Sequence, residues 1–281
     1  MALITIIIII ILVLCFIYLL TKMNRAEYMM QIYDDTGDYL NNIQFDNKIS
    51  LNDIVDKIYV INLNRRPDRM ERMKKILKEY NIVYERFPAI DGNDINVMAE
   101  WYNIKNTKNT KNTIISTVNA YGCLLSHLEI IKLAKKNNYK RVLIFEDDLR
   151  FHKNFDNEIK KIRYLPDNWK ILYLGASQIT IDINNIPKNN FYYHANKTDG
   201  AFAYIVDSSI YDEVIKLLET KIGPVDYLYK FIQDKYPSYV LYPNIIIANV
   251  AESNTRNYDI SNKEVISWSK RLGWNLDDYH N

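Results

Sequence analysis

The sequence predicts an α/β domain with a mixed, mostly parallel sheet flanked by helices, preceded by one N-terminal transmembrane helix. Three observations carry this. Short β-branched, apolar runs alternate with stretches of helical periodicity, the pattern of βαβ units. Those runs are apolar at consecutive rather than alternate positions, as in strands covered on both faces. The hydrophobic fraction, 48% of 281 residues, is also unevenly spread, because Ala2 to Leu20 is an almost unbroken Ile and Leu run with Thr5 as its only clearly polar member.

As a helix rising about 1.5 Å per residue, that run spans roughly 28 Å, close to the thickness of a hydrocarbon core. No basic segment precedes it and no small-x-small cleavage pattern follows. Residues 1–21 therefore read as a single-pass anchor in the lipid bilayer rather than a cleaved signal peptide. Lys22 and Arg25 come directly after, a charge placement that favours a cytosolic C-terminal domain. Residues 22–56 are polar, with Asp34, Asp35, Gly37 and Asp38, and read as a stalk. Residues 57–281 then make the folded domain.

Within it, Lys57 to Leu63 reads as a buried strand. Pro67 opens a helix over 68–80, where Met70, Met73, Ile76 and Leu77 share one stripe. Ile82 to Phe87 reads as a second strand and Pro88 to Gly92 as the turn after it. The Asn-Thr-Lys repeat between Asn103 and Thr113 is expected as a surface loop. Gly122 to Asn138 is the clearest helix, with Leu124, Leu125, Leu128 and Ile131 on its apolar side. Strands follow at Arg141–Phe145, Trp169–Gly175 and Ala201–Val206, then a helix over Ser208–Leu218. After Pro224 come a short helix and a strand from Tyr239 to Ala248. The tail from Asn262, with Trp268 and Trp274, is expected on the domain surface.

A net charge of +2, from 36 basic and 34 acidic side chains, leaves no positive field for a polyanion and argues against a dedicated nucleic-acid binder. Cys15 lies in the apolar run and Cys123 is alone in the rest, so the domain has no disulfide of its own. Open sheets bind ligands at the carboxyl ends of their strands, and Glu146-Asp147-Asp148 follows such a strand directly. A period of two puts Glu146 and Asp148 on one face with Asp147 opposed. Crowded carboxylates repel one another unless a cation neutralises them, and oxygen ligands select a hard ion such as manganese or magnesium. Taken alone, the triplet also fits solvated acids in a turn.

Five segments, in order, resemble glycosyltransferase family 25, the group that includes bacterial lipooligosaccharide galactosyltransferases and procollagen galactosyltransferases. They are Val60-Ile61-Asn62-Leu63-Asn64-Arg65-Arg66-Pro67-Asp68-Arg69, Gly122-Cys123-Leu124-Leu125-Ser126-His127, Ile144-Phe145-Glu146-Asp147-Asp148, Gly200 to Val206, and Pro224-Val225-Asp226. The resemblance implies a fold of the GT-A type, a UDP-hexose donor such as UDP-galactose, a divalent metal at the triplet, a glycan or hydroxylated protein acceptor, and inversion at the anomeric carbon. The chain departs from the family's habit at Phe202, where a smaller or polar residue is common, and at Asn249-Val250-Ala251-Glu252-Ser253 after the last strand.

On this resemblance, Glu146 and Asp148 meet the metal and the ribose-diphosphate, with Asp148 the direct metal ligand and Asp147 an outer or sugar-hydroxyl contact. Asn62 and Arg69, where the first strand gives way to a helix, are placed for the nucleotide; Arg65 and Arg66 are weaker candidates. Ser126 and His127 fall on the helix after Gly122. His127 either bonds a diphosphate oxygen, holds a carboxylate of the triplet, or is a hydrogen-bonded core histidine. Cys123 reads as core. An inverting transfer needs a base for the acceptor hydroxyl; Asp226 is the first candidate and Glu252 the second, with Asp199 and Gly200 shaping the acceptor side. A catalytically silent relative acting as an interaction protein, or a metal-dependent nucleotidyltransferase or phosphohydrolase, are the alternatives. The former would be expected to lose the triplet and the latter to carry a phosphate-cradling loop, and neither feature is present.

Overall fold

The computed structural model describes residues 49–106, 113–179, 190–253, 255 and 260–280. The expected anchor and most of the expected stalk lie outside these residues. Among the described residues, no helix is long and apolar enough to cross a membrane.

The folded body begins earlier than Lys57. Ser50 caps a short helix, α1 (Leu51–Ile54), through a capping box with Asp53, and Leu51 and Val55 are buried in the main core. Strand β1 (Lys57–Asn62) follows, then helix α2 (Pro67–Glu79), whose Met70, Met73 and Leu77 are buried as their spacing predicts. Strand β2 (Glu85–Pro88) starts three residues later than expected, because Asn81 takes a positive φ and Ile82 turns back to bond Leu77. Helix α3 (Ile95–Asn106) occupies the start of the expected loop, whose residues 107–112 lie outside those described. Helix α4 (Val118–Lys136) begins one turn before Gly122, because the Thr117 side chain caps it by accepting from the Ala120 N–H.

The remaining strands are β3 (Arg141–Phe145), β4 (Leu149–Phe151), β5 (Ile171–Tyr173), β6 (Tyr192–His194), β7 (Ala203–Asp207), β8 (Ser238–Leu241) and β9 (Ile246–Ala248). The one long strand expected over 239–248 is two, interrupted at Pro243, which has no N–H for a ladder. Helices α5 (Phe155–Glu158), α6 (Tyr211–Leu218), α7 (Val225–Gln233) and α8 (Asn262–Arg271) complete the elements.

Seven strands form one sheet in the order β2-β1-β3-β7-β5-β8-β6, and β4 pairs β9 in a second. The β1–β2, β1–β3 and β5–β8 pairs are parallel, while β7 is antiparallel to both β3 and β5, and β6 to β8. The reversal of β7 was not readable from Ala201–Val206, since a strand buried on both faces looks the same in either direction. Ile58, Val60, Leu143, Phe145 and Ile205 face α1 and α2, whereas Tyr59, Ile61, Val142, Ile144 and Val206 face α4, α6 and α7. The tail is not only a surface element: Leu272, Trp274 and Tyr279 are buried in the first of these layers.

Because β7 runs backwards between β3 and β5, its beginning meets their ends. The Glu146 N–H donates to the Phe202 carbonyl across 2.8 Å, and the Leu174 N–H to that of Ala203. Asp199 and Gly200 are thereby brought to the same sheet edge as the acidic triplet.

Candidate active site

The three acids follow the end of β3 at Phe145, and all three line the cleft while taking different partners. Asp147 turns inward: Arg69 donates to its Oδ1 at 2.9 Å and Asn62 to its Oδ2 at 2.6 Å. Asn62 also donates to the Arg66 carbonyl and accepts from Arg86, so its side chain is fully employed. Asn62 and Arg69 are almost wholly buried. They carry a structural task, holding Asp147 and the turn between β1 and α2, and Arg69 also lines the cleft. The depth at which Arg69 sits is not revealed by the sequence.

Glu146 and Asp148 face the cleft. Asp148 is buried, its Oδ2 lies 3.7 Å from Arg69 Nη1, and its Oδ1 has no hydrogen-bond partner among the described residues. Burial, together with the charge of Glu146, pushes the Asp148 carboxyl up to about 7. Burial and the charges of Asp147 and Asp226 push Glu146 up to about 8. Two carboxyls so reluctant to ionise side by side, one with an orphaned oxygen, fit a hard divalent cation in both charge and ligand type.

Ser126 lines the cleft. Its hydroxyl accepts from the Ile90 N–H and donates to the Gly122 carbonyl, tying the turn after β2 onto α4. His127 is wholly buried, with Nδ1 2.7 Å from the Tyr204 hydroxyl and Nε2 3.5 Å from Glu146 Oε1. Of the three readings, the geometry matches the hydrogen-bonded core histidine, since Nδ1 is engaged by Tyr204 and Nε2 makes no hydrogen bond to Glu146 among the described residues. Burial lowers its pKa to about 3, so the ring is neutral. Cys123, expected in the core, reaches the cleft floor with its Sγ 3.8 Å from Glu146 Oε1. The Cys-x-x-x-His spacing, one helical turn, was the signal that could have joined it to His127.

The cleft has two lobes that share Cys123, Glu146, Asp148, Ser253 and Thr255. One is walled by Ile61, Leu63, Ile90, Asp91 and Asn119. The other is walled by Asp199, Gly200, Phe202, Asp226 and Trp268. Gly200 has a φ of 89°, and a Cβ there would stand 2.6 Å from the Phe202 ring. Asp226, in the first turn of α7, accepts from the Tyr227 N–H at 2.9 Å. Burial and nearby Asp199 raise its carboxyl above the usual range, as a proton acceptor for a hydroxyl requires.

Glu252 differs. It forms a two-pronged pair with Arg72 and lies 3.6 Å from Arg69 and 3.8 Å from Arg66. The Arg72 hydrogen bonds hold its carboxylate below the usual range, which makes it a weak base. Arg65 pairs with Asp91 and Arg66 with Asp68.

The family profile described as Glycosyltransferase family 25 (LPS biosynthesis protein) matches residues 55–229. The chain is 28% identical over 197 residues to a glycosyltransferase 25 family member of Drosophila melanogaster, covering 66% of this chain and 32% of that protein. It is 30% identical over 134 residues to procollagen galactosyltransferase 2 of Mus musculus, covering 45% and 21%. To the inactive glycosyltransferase 25 family member 3 of Homo sapiens it is 33% identical over 136 residues, covering 44% and 22%. The chain thus spans between 21% and 32% of the length of these relatives. A solved structure, mouse xyloside xylosyltransferase 1, overlays at a TM-score of 0.32 and 9% identity, covering 63% of this chain and 68% of that one, too loosely to bear on the fold. The profile takes in both ends of β1, the whole of α4, the acidic triplet and Asp226. This chain belongs to glycosyltransferase family 25.

Proposed function

We propose that the domain transfers a hexose, galactose or glucose, from a UDP-sugar to a hydroxyl of a glycan or protein acceptor, with inversion at the anomeric carbon. The observation that carries the reading is the division of labour in the triplet: Asp147 is consumed by Arg69 and Asn62, which leaves Glu146 and Asp148 turned toward a cleft that holds Asp226 in its other lobe. Procollagen galactosyltransferase 2, among the relatives, supports galactose as the transferred sugar.

Glu146 and Asp148 would hold the cation, manganese or magnesium. When bound, that ion neutralises the charge that grows on the leaving diphosphate. The lobe beside Ile61 and Ile90 takes the nucleoside, and the lobe beside Phe202 and Trp268 takes the acceptor. Asp226 accepts the proton of the acceptor hydroxyl as its oxygen attacks the sugar carbon and the bond to the diphosphate breaks. Gly200 lets the acceptor approach the backbone. Glu252 keeps Arg66, Arg69 and Arg72 in place.

The test is release of UDP from UDP-galactose and UDP-glucose by the full chain with manganese. Manganese-dependent UDP from one of them is the expected result; no release from either, with the fold intact by circular dichroism, would overturn the reading.

A further inference from the structure

Cys123 and His127 lie one turn apart on the same face of α4, and Glu146 enters the space before them from the end of β3. Their donor atoms lie within 4.8 Å of one another. His127 Nε2 is 3.5 Å and Cys123 Sγ 3.8 Å from Glu146 Oε1. The ring is 0% exposed, its Nδ1 is engaged by Tyr204, and its Nε2 has no hydrogen-bond partner among the described residues. In the tautomer that donates Nδ1–H to Tyr204, Nε2 points a lone pair toward Glu146 Oε1 3.5 Å away, and a cation between them would be ligated by both.

We infer that Cys123, His127 and Glu146 form a three-ligand site for a borderline transition metal, zinc before others, with its fourth position open to the cleft. In tetrahedral zinc sites, with Zn–S about 2.3 Å and Zn–N and Zn–O about 2.0 Å, donor atoms stand about 3.3 to 3.5 Å apart. The two separations found here need to close by only about 0.3 Å. Thiolate and imidazole select zinc over magnesium and manganese, so the ligand chemistry differs from that of the paired carboxylates. Tyr204 supplies the outer hydrogen bond that fixes the imidazole of a metal-binding histidine. Both lobes of the cleft reach Cys123, which gives the ion a way in. The thiol gives up its proton as the metal binds.

Glu146 also faces the cation of the proposed transfer. A consequence, which rests on the glycosyltransferase reading, is that zinc withdraws Glu146 and suppresses the reaction.

Cobalt is the probe for the site. With one equivalent of Co²⁺, the full chain is expected to show thiolate-to-cobalt charge-transfer absorption and the intense visible bands of a four-coordinate ion, both displaced by zinc. Cys123→Ser loses the charge-transfer band, Cys15→Ser keeps it, and His127→Gln weakens cobalt binding tenfold or more. Absence of the band in the unsubstituted chain, weak octahedral visible absorption, or survival of the band in Cys123→Ser overturns the site. In the manganese-supplied chain, the zinc concentration that halves UDP release is expected to rise at least tenfold in Cys123→Ser, and an unchanged value overturns the coupling to Glu146. A chain that releases no UDP at all fails the glycosyltransferase reading, while the cobalt spectra still decide the metal site.

Discussion

Arg69 donates from Nη1 to Asp147 Oδ1 across 2.9 Å, with both side chains almost entirely withdrawn from water. The pair fastens the start of α2 to the acidic end of β3, and so sets where Glu146 and Asp148 point. Removing one partner of a buried pair leaves an uncompensated charge, which typically costs about 3–5 kcal/mol. Arg69→Ala is expected to lower the unfolding free energy by about 3 kcal/mol in a urea titration. An unchanged midpoint would mean that Asn62 alone suffices for Asp147.

Leu51 lies only 1% exposed, six residues before β1, where a stalk was expected. Truncating a buried leucine removes its transfer energy and leaves a cavity, a cost of about 2–5 kcal/mol. Leu51→Ala should therefore lower the thermal midpoint, and a chain that starts at Lys57 should unfold at a lower temperature than one that starts at Lys48. Equal midpoints would return Leu51 to the stalk.

The elements most legible in the sequence were those whose residues carry a one-dimensional signal. Met70, Met73 and Leu77 announced α2, and the apolar run ending in Glu146-Asp147-Asp148 announced both β3 and the site. What stayed hidden depended on depth or direction. Arg69 and Asn62 are polar and sit where β1 gives way to α2, and their burial as partners of Asp147 could not be read from their spacing. Ser126 was expected among the cofactor contacts beside His127, and its hydrogen bonds to the Ile90 N–H and the Gly122 carbonyl were not readable from the sequence. The contact of Cys123 with Glu146 is made by residues on α4 and β3, and only the helical spacing to His127 hinted at it.

Gly122 sits where α4 meets the turn after β2. A Cβ there would stand 2.5 Å from the Ile90 carbonyl oxygen and 2.8 Å from the Gly92 nitrogen, both backbone atoms with little room to retreat. Overpacking of this kind costs about 1–3 kcal/mol. Because the same turn walls the lobe assigned to the nucleoside, Gly122→Ala is expected to lower stability by that amount and to weaken UDP binding in calorimetry. A variant with wild-type stability and UDP affinity would show that the turn moves aside freely.

Asp226 joins stability to chemistry with opposite signs. Burial raises its carboxyl, reinforced by Asp199, while the N–H groups of Tyr227 and Gly200 pull the other way. With the folded value above the ordinary 3.8, the folded chain holds this proton when the unfolded chain has lost it. Stability from this group therefore falls as pH rises from the unfolded value to the folded one, and the cost persists above that window. Asparagine carries no such cost. Asp226→Asn is expected to unfold at higher urea than the unsubstituted chain at neutral pH, with the advantage fading as pH drops below the unfolded value. The same variant should bind UDP-sugar normally yet lose transfer by about 10² to 10⁴-fold, the usual contribution of a positioned base. Gain of stability with transfer intact would leave Asp226 a buried acid at a helix N-terminus and move the base elsewhere in the cleft.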